Sequence, residues 1–251
     1  MTGGSLPPPP FRLVAYETIG STNDEAKRLA RAGEPEGLVI CAAEQTAGRG
    51  RRGRAWTSPP GNLYASILLR PRCRAPVAAQ LGFVAALGVA GALRELAPAI
   101  TVQCKWPNDL LANGKKICGI LLETEMVAGE VPDFVVLGIG ANLASSPRET
   151  PYPATSLAEE GARGITPAAA TAPLIRHFAA WWGQWREQGF GPIRAAWLAQ
   201  AAGLGEAIQV RLERGTLDGR FLDLDADGAL LLGTPGGDRR IAAGDVFPVA
   251  A

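Results

Sequence analysis

Four guanidinium groups fall within six residues in the stretch Gly48-Arg49-Gly50-Arg51-Arg52-Gly53-Arg54, which is followed by Ala55-Trp56. So many like charges repel unless an anion comes between them, and arginine forks match phosphate and carboxylate oxygens bidentately. The three glycines let backbone approach a ligand closely, and the segment reads as a loop that orders over a polyanion as a lid does. A cluster of this kind is often only a solvated basic loop. Its flanks argue otherwise, because Gln45, Thr46 and Trp56 place polar groups and a stacking surface beside the cations, a combination suited to a nucleoside triphosphate. A second group, Lys105-Trp106-Pro107-Asn108-Asp109, sets an ammonium, an amide and a carboxylate side by side, suited to a phosphate and to Mg2+ held by one or two carboxylates. An ordinary strand-to-turn segment is the plainer reading of that pentapeptide. Lys115 and Lys116 follow the Asn113-Gly114 pair; neighbours on a strand point to opposite faces, so at most one of them reaches a shared pocket.

Recognisable elements must hold these groups. Ser21-Thr22-Asn23-Asp24-Glu25 opens a helix whose apolar face is Ala26, Leu29 and Ala30; Thr22 and Glu25 have capping-box spacing, and Gly33 ends it. Strands are expected at Leu38–Ala42, Asn62–Leu69, Thr101–Trp106, Ile117–Glu125 and Phe134–Ile139. Asn113-Gly114 predicts a tight two-residue hairpin turn. Helices are expected over Ala75–Leu96, Pro167–Gln188 and Pro192–Ala202. From about Gly203, short apolar runs alternate with Asp-Gly and Gly-Gly turns, as in a small β-barrel. The division expected is a proline-rich disordered or extended tail at 1–10, one α/β domain at 11–202 and a small β domain at 203–251.

Bulk properties narrow the function. Twenty-five basic and 24 acidic residues leave a formal net charge of +1, without the basic excess of a protein that holds nucleic acid by its phosphates. Cys41, Cys73, Cys104 and Cys118 show no CxxC spacing and read as reduced, buried thiols. The apolar stretch Pro76–Leu93 carries Gln80 and three glycines and reads as a core helix rather than a membrane span. No secretory signal is seen, and the cytoplasm is the expected compartment.

Five motifs stand in the order and spacing of one family. Ser21-Thr22-Asn23, the GRGRRGR loop, KWPND, Gly114–Leu121 (GKKICGIL) and Gly138-Ile139-Gly140-Ala141-Asn142 resemble those of biotin protein ligases from about Thr18 to Leu157, with a weaker likeness in the C-terminal part. The resemblance implies an α/β (α+β) catalytic domain of the class II aminoacyl-tRNA-synthetase kind, a mixed β-sheet with helices on one side, and a C-terminal SH3-like β-barrel. It implies ATP and biotin as substrates with Mg2+, a biotin carboxyl carrier protein as acceptor, and a homodimer as a form seen in the family.

Residue by residue, the resemblance implies biotin contacts at Ser21, Thr22, Asn23, Gln45, Gly48, Arg49, Gly50, Lys116 and Gly119. It implies ATP contacts at Arg51, Arg52, Arg54, Trp56, Lys105, Asn108, Asp109 and Asn142, with Trp56 against the adenine and Asp109 toward Mg2+. Lys116, Arg51 and Arg54 are the expected catalytic groups. The chemistry agrees: attack of a carboxylate on an α-phosphate brings two anions together, which fixed positive charge must offset. No protein nucleophile is required, so the sole histidine, His177, reads as a plain helix residue. With only 20 residues ahead of Ser21, no helix-turn-helix unit and no repressor function are expected. A lipoate ligase and a nucleic-acid-binding module using the arginine loop are the competing readings. The arginine loop resembles the biotin version, and no aromatic residues alternate with basic ones along a strand surface.

Overall fold

The strand Leu63–Leu69 (β3) is buried along its whole length, and its two faces open onto two separate cores. The computed structural model describes residues 8–126, 129–150 and 152–248. In chain order the first elements are β1 (Arg12–Ile19), α1 (Thr22–Arg31) and β2 (Leu38–Gln45), then β3, α2 (Ala75–Ala78) and α3 (Leu81–Leu96). There follow β4 (Val102–Lys105), β5 (Asp109–Ala112), β6 (Lys115–Glu125), β7 (Phe134–Ala141), α4 (Pro167–Gln188) and α5 (Phe190–Leu198). The strands form a seven-stranded sheet of order β1-β2-β3-β7-β6-β5-β4, in which β1 and β2 run parallel and every other neighbouring pair is antiparallel.

Period-two alternation assigns the faces. Val39, Ala65, Ile67, Val135 and Leu137 join α3 and α4 in the larger core, whereas Ile40, Leu68, Phe134 and Val136 meet Ala26 and Ala30 of α1. The helices therefore do not all lie on one side, as the family likeness implied: α1 covers the opposite face. Its register follows from placing Ala26 and Ala30 one turn apart on the buried side, with Lys27, Arg28 and Arg31 turned toward carboxylates.

Several local expectations change. The capping box does not form: the Thr22 hydroxyl bonds to Gln45 at 3.1 Å, Glu25 pairs with Arg28, and no side chain caps this helix. β1 has no counterpart among the expected strands, because as an edge strand its burial is shallow and mixed. Residues 1–7 of the expected tail lie outside the described residues; Pro8 accepts a hydrogen bond from the Phe11 N–H at 2.9 Å, and Phe11 enters the core edge-on to Phe178 and Trp182. Thr101–Trp106 is a strand only from Val102 to Lys105, and the last helix runs Phe190–Leu198 rather than from Pro192 to Ala202. The Asn113-Gly114 turn has positive φ at both positions, 48° and 79°, as such a hairpin requires.

The stretch Ala75–Leu96 is long and apolar enough to cross a membrane, but 72% of its most apolar window is buried inside the fold. It breaks between α2 and α3, and beside that break the Gln80 side chain accepts the Trp185 indole N–H at 3.0 Å. All four cysteines are free thiols; Cys104 and Cys118 are buried, Cys41 and Cys73 half-buried, and burial raises the Cys104 thiol to about 12.

Residues 207–248 form a second, antiparallel sheet: β8 (Ala207–Arg211), β9 (Thr216–Leu224), β10 (Leu230–Thr234), β11 (Gly237–Ile241) and β12 (Asp245–Pro248), ordered β11-β10-β9-β8-β12. Its apolar face joins the larger core, and polar contacts at the end of β9 and in the β9–β10 turn fix it on the larger unit. The Trp106 indole N–H donates to the Gly228 carbonyl at 3.1 Å, and Arg194 donates to the Leu224 carbonyl at 2.7 Å.

Helix α3 comes close to the backbone of α4 at Gly88, where a Cβ would lie 2.9 Å from the Phe178 Cα. Gly88→Val should push these helices apart and lower unfolding stability by about 2 kcal/mol or more, the usual scale of overpacking. Urea denaturation followed by tryptophan fluorescence measures it; an unchanged midpoint would show that the helix pair is not closely packed.

Candidate active site

One cleft of about 230 Å³ collects residues from the ends of β2, β5, β6 and β7, the start of α1, the arginine loop and β12. At one end the buried residues Ser21, Thr22 and Asn23 lead into α1. The Thr22 backbone N–H and hydroxyl both donate to Gln45 Oε1, at 2.9 and 3.1 Å. Gln45 donates from Nε2 to Ser58 Oγ at 3.0 Å, and the Ser66 hydroxyl lies 2.7 Å from Thr22 Oγ1 and 2.5 Å from Asn23 Oδ1. Asn23 donates to Glu123 at 2.7 Å. The result is a rigid polar pocket end whose side chains are fixed by one another before any ligand arrives.

Two lysines and one carboxylate occupy the floor. Lys105 and Asp109 face each other across the β4–β5 pair, and the Asn113-Gly114 turn brings Lys116 beside them. Lys116 Nζ lies 2.6 Å from Asp109 Oδ1 and donates to the Tyr152 hydroxyl at 3.2 Å; Lys105 Nζ lies 4.0 Å from Asp109 Oδ2. Burial works against the charge of both ammonium groups. At Lys116 the close Asp109 carboxylate outweighs burial and raises the pKa above the ordinary lysine value. At Lys105 burial wins, aided by the charge of Lys116, and the pKa falls despite Asp109. Lys115 points outward to Glu160 at 3.0 Å, so Lys116 is the member of the pair in the cleft.

Arg49–Arg54 is a closed loop. Gly50 N–H donates to the Arg54 carbonyl at 2.7 Å, Trp56 N–H donates to the Gly48 carbonyl at 2.9 Å, and Arg51–Gly53 makes a single 3₁₀ turn with Arg52 at φ 55°. Gly48 is required by crowding, since a Cβ there would come within 2.5 Å of the Trp56 carbonyl oxygen. The loop is held at both ends by carboxylates. Arg49 pairs bidentately with Asp24 of α1 at 2.7 and 2.5 Å, which pulls Asp24 down to about 2. Arg51, Arg52 and Arg54 face Asp245 of β12 at 3.6, 3.8 and 3.2 Å. Arg51 also donates to Asn108 Oδ1 at 2.9 Å, and its burial lowers its pKa.

Trp56 lies deep in the cleft. Its ring stacks against the backbone of Gly119 and Gly140, where a Cβ would come within 3.0 and 2.5 Å of it, and Lys116 Nζ sits 5.5 Å from the ring centre. Its Nε1 is buried and has no hydrogen-bond partner among the described residues. Asn142 lines the cleft, but its amide donates to the Thr155 carbonyl at 3.0 Å. His177 pairs with Glu95 between α3 and α4, away from these groups. Among the described residues no group of three or more His, Cys, Asp or Glu side chains could hold a metal ion.

Among the lining residues that a reading of the sequence does not reach, Tyr152, Phe247 and Asp245 matter most. Tyr152 and Phe247 both flank Lys105 Nζ, at 5.1 and 5.2 Å from their ring centres, and Asp245 meets the arginines. Tyr152 carries a faint signal, an aromatic ring between prolines after Asn142. Asp245 and Phe247 carry none, because their pairing depends on how the second sheet docks.

Residues 15–142 match the Biotin/lipoate A/B protein ligase family, and residues 203–247 match the Biotin protein ligase C terminal domain. The chain is similar to the biotin–[acetyl-CoA-carboxylase] ligase of Paracoccus denitrificans, 43% identical over 90% of this chain and 96% of that protein. It is similar to the bifunctional ligase/repressor BirA of Bacillus subtilis, 36% identical over 93% of this chain and 73% of that protein. In structure it is similar to a biotin protein ligase from Aquifex aeolicus in complex with biotin and ATP, with a TM-score of 0.81 and 29% identity over 94% of this chain and 97% of the other.

The opposite shifts of the two lysines are testable without substrate. In protein carrying 13C-labelled lysine side chains, Lys105 should lose its proton at lower pH than Lys116, with Lys105→Arg and Lys116→Arg assigning the signals. Lys116 titrating first would contradict the dominance of Asp109 over burial.

Proposed function

The chain belongs to the biotin/lipoate A/B protein ligase family, and from that premise we propose that it joins biotin to ATP as biotinyl-AMP and then passes the biotinyl group to a lysine of a biotin carboxyl carrier protein, as in acetyl-CoA carboxylase. The observation that carries this reading is the pairing, within one cleft, of a prefixed polar end at Ser21–Asn23 with the Lys105–Asp109–Lys116 floor and the arginine cluster. The polar end suits a neutral head group rich in donors and acceptors, the ureido ring. Lys116 then lies where the acid's carboxylate meets the α-phosphate.

The first step forms a bond from a carboxylate oxygen to the α-phosphorus and breaks the bond to the β-phosphate, releasing pyrophosphate. Both partners are anionic, and the transition state spreads further charge onto the departing pyrophosphate. Lys116, Lys105, Arg51, Arg52 and Arg54 supply cations that are in place before the reaction, the form of electrostatic help that needs no reorganisation. In the second step the acceptor amine attacks the acyl carbon and AMP leaves. Walls of Trp56, Gly119 and Gly140 shield the reactive anhydride from water.

A Mg2+ ion, if bound, would come with the triphosphate. Asp109 presents Oδ1 to Lys116 at 2.6 Å, and its Oδ2, 4.0 Å from Lys105, is the oxygen open to a cation carried in on the phosphates. One carboxylate plus substrate oxygens is an ordinary magnesium environment. Asp109, with Asn108 beside it, would hold the ion, which when bound offsets phosphate charge. Asn142 and Tyr152 frame the space left for the nucleoside.

Incubating the chain with biotin, magnesium ATP and a biotin acceptor domain should add one biotinyl mass to a single acceptor lysine, with lipoate giving none. Lys116→Ala should slow adenylate formation about 100- to 1000-fold, the scale for removing one preorganised charge contact, in a variant that circular dichroism shows still folded at the assay temperature, although the loss of the Asp109 ion pair lowers its melting temperature. Lipoate transfer in preference to biotin, or full turnover by Lys116→Ala, would overturn the assignment.

A further inference from the structure

The arginine loop and the C-terminal sheet meet at one carboxylate. Asp245 lies 191 residues beyond Arg54 in sequence and bonds to it at 3.2 and 3.3 Å, while Arg51 and Arg52 approach to 3.6 and 3.8 Å. Three guanidinium groups on so short a segment repel one another and in isolation would splay into water. One shared anion offsets that repulsion and gathers them.

Two further details give the contact a direction. Asp245 has a cation directly across the β8–β12 pair, Arg211, yet that guanidinium stacks on the Phe247 ring at 4.1 Å and leaves the carboxylate to the loop. The three contacts are also loose. Among the described residues only Arg54 makes hydrogen bonds to Asp245, Arg51 donates to Asn108 and to the Gly244 carbonyl, and the Arg52 side chain makes no hydrogen bond. Each guanidinium has five N–H donors, so the cluster is assembled with most of its donors still available.

We infer that Asp245 is a positioning residue for nucleotide binding: it holds Arg51, Arg52 and Arg54 as one cluster, so that a triphosphate meets preassembled donors rather than three separate, solvated side chains. The inference rests on the biotin ligase reading for the identity of the nucleotide, not for the existence of the cluster. It also gives the second sheet a defined part in the chemistry, because β12 presents Asp245, Val246 and Phe247 to the cleft.

Two measurements on the full chain test it. In pyrophosphate release with biotin saturating, Asp245→Asn should raise the KM for magnesium ATP at least tenfold while leaving kcat and the KM for biotin within about twofold, and Asp245→Glu should recover most of the loss. A merely structural role would move both KM values together and track the melting temperature. In the absence of every substrate, trypsin should cut Arg49–Arg54 at least fivefold faster in Asp245→Asn than in the unaltered chain. An unchanged or lower KM for ATP, or equal cleavage rates, would overturn the inference; Asp245→Ser is read by the same criteria should the Asn variant not fold. If the unaltered chain makes no adenylate, the fault lies with the biotin ligase reading, and the trypsin comparison still decides the role of Asp245.

Discussion

A single largely buried carboxylate, Asp109, stands between two ammonium groups, and the rest of the cleft is arranged around that contact. Without it, burial and mutual repulsion would favour the neutral form of both lysines and leave the floor with little charge. With it, Lys116 keeps its proton firmly while Lys105 is held more weakly. The contact exists because three antiparallel strands converge: β4 ends at Lys105, β5 begins at Asp109, and the tight turn at Asn113-Gly114 returns β6 so that Lys116 comes alongside. A pairing register displaced by one residue would exchange Lys116 for Lys115, which points to Glu160 and solvent.

Around that floor, small residues make room where large ones must fit. Trp56 lies on Gly119 and Gly140, adjacent across the β6–β7 pair, because no other residue would leave space for the indole. Gly138, two residues earlier on β7, does the same for Asn23, whose Oδ1 would lie 2.3 Å from a Cβ placed there. The Gly-Ile-Gly segment is thus a flat backbone shelf, with the polar start of α1 on one part and an aromatic wall on the next. Two carboxylates from distant elements, Asp24 and Asp245, then pin the ends of the arginine loop over it.

Much of this was legible in the sequence because it depends on local chemistry. The arginine loop, the KWPND turn, the Asn-Gly hairpin and the long apolar helix announce themselves through residue type and spacing, and their order identifies the family. What stayed hidden depends on packing between segments far apart in the chain. β1 was missed because a half-exposed edge strand has weak alternation, and α1 could not be assigned to a face of the sheet. Thr22 and Glu25 have capping-box spacing, yet a tertiary partner, Gln45, took the threonine hydroxyl. Asp245, Phe247 and Tyr152 gave little or no local signal, since a lone Asp near a chain's end becomes meaningful only once the second sheet has docked.

If the chain adenylates biotin, the carboxylate of the acid must meet the α-phosphorus of the nucleotide in this cleft. The most direct measurement uses biotin labelled with 18O in its carboxylate, followed through complete transfer to the acceptor lysine with mass analysis of the released AMP. If the oxygen of the acid bridges to the α-phosphate, one 18O remains with AMP when the acyl–oxygen bond breaks, and AMP gains about 2 Da. Unlabelled AMP, or label found in inorganic phosphate instead, would contradict it.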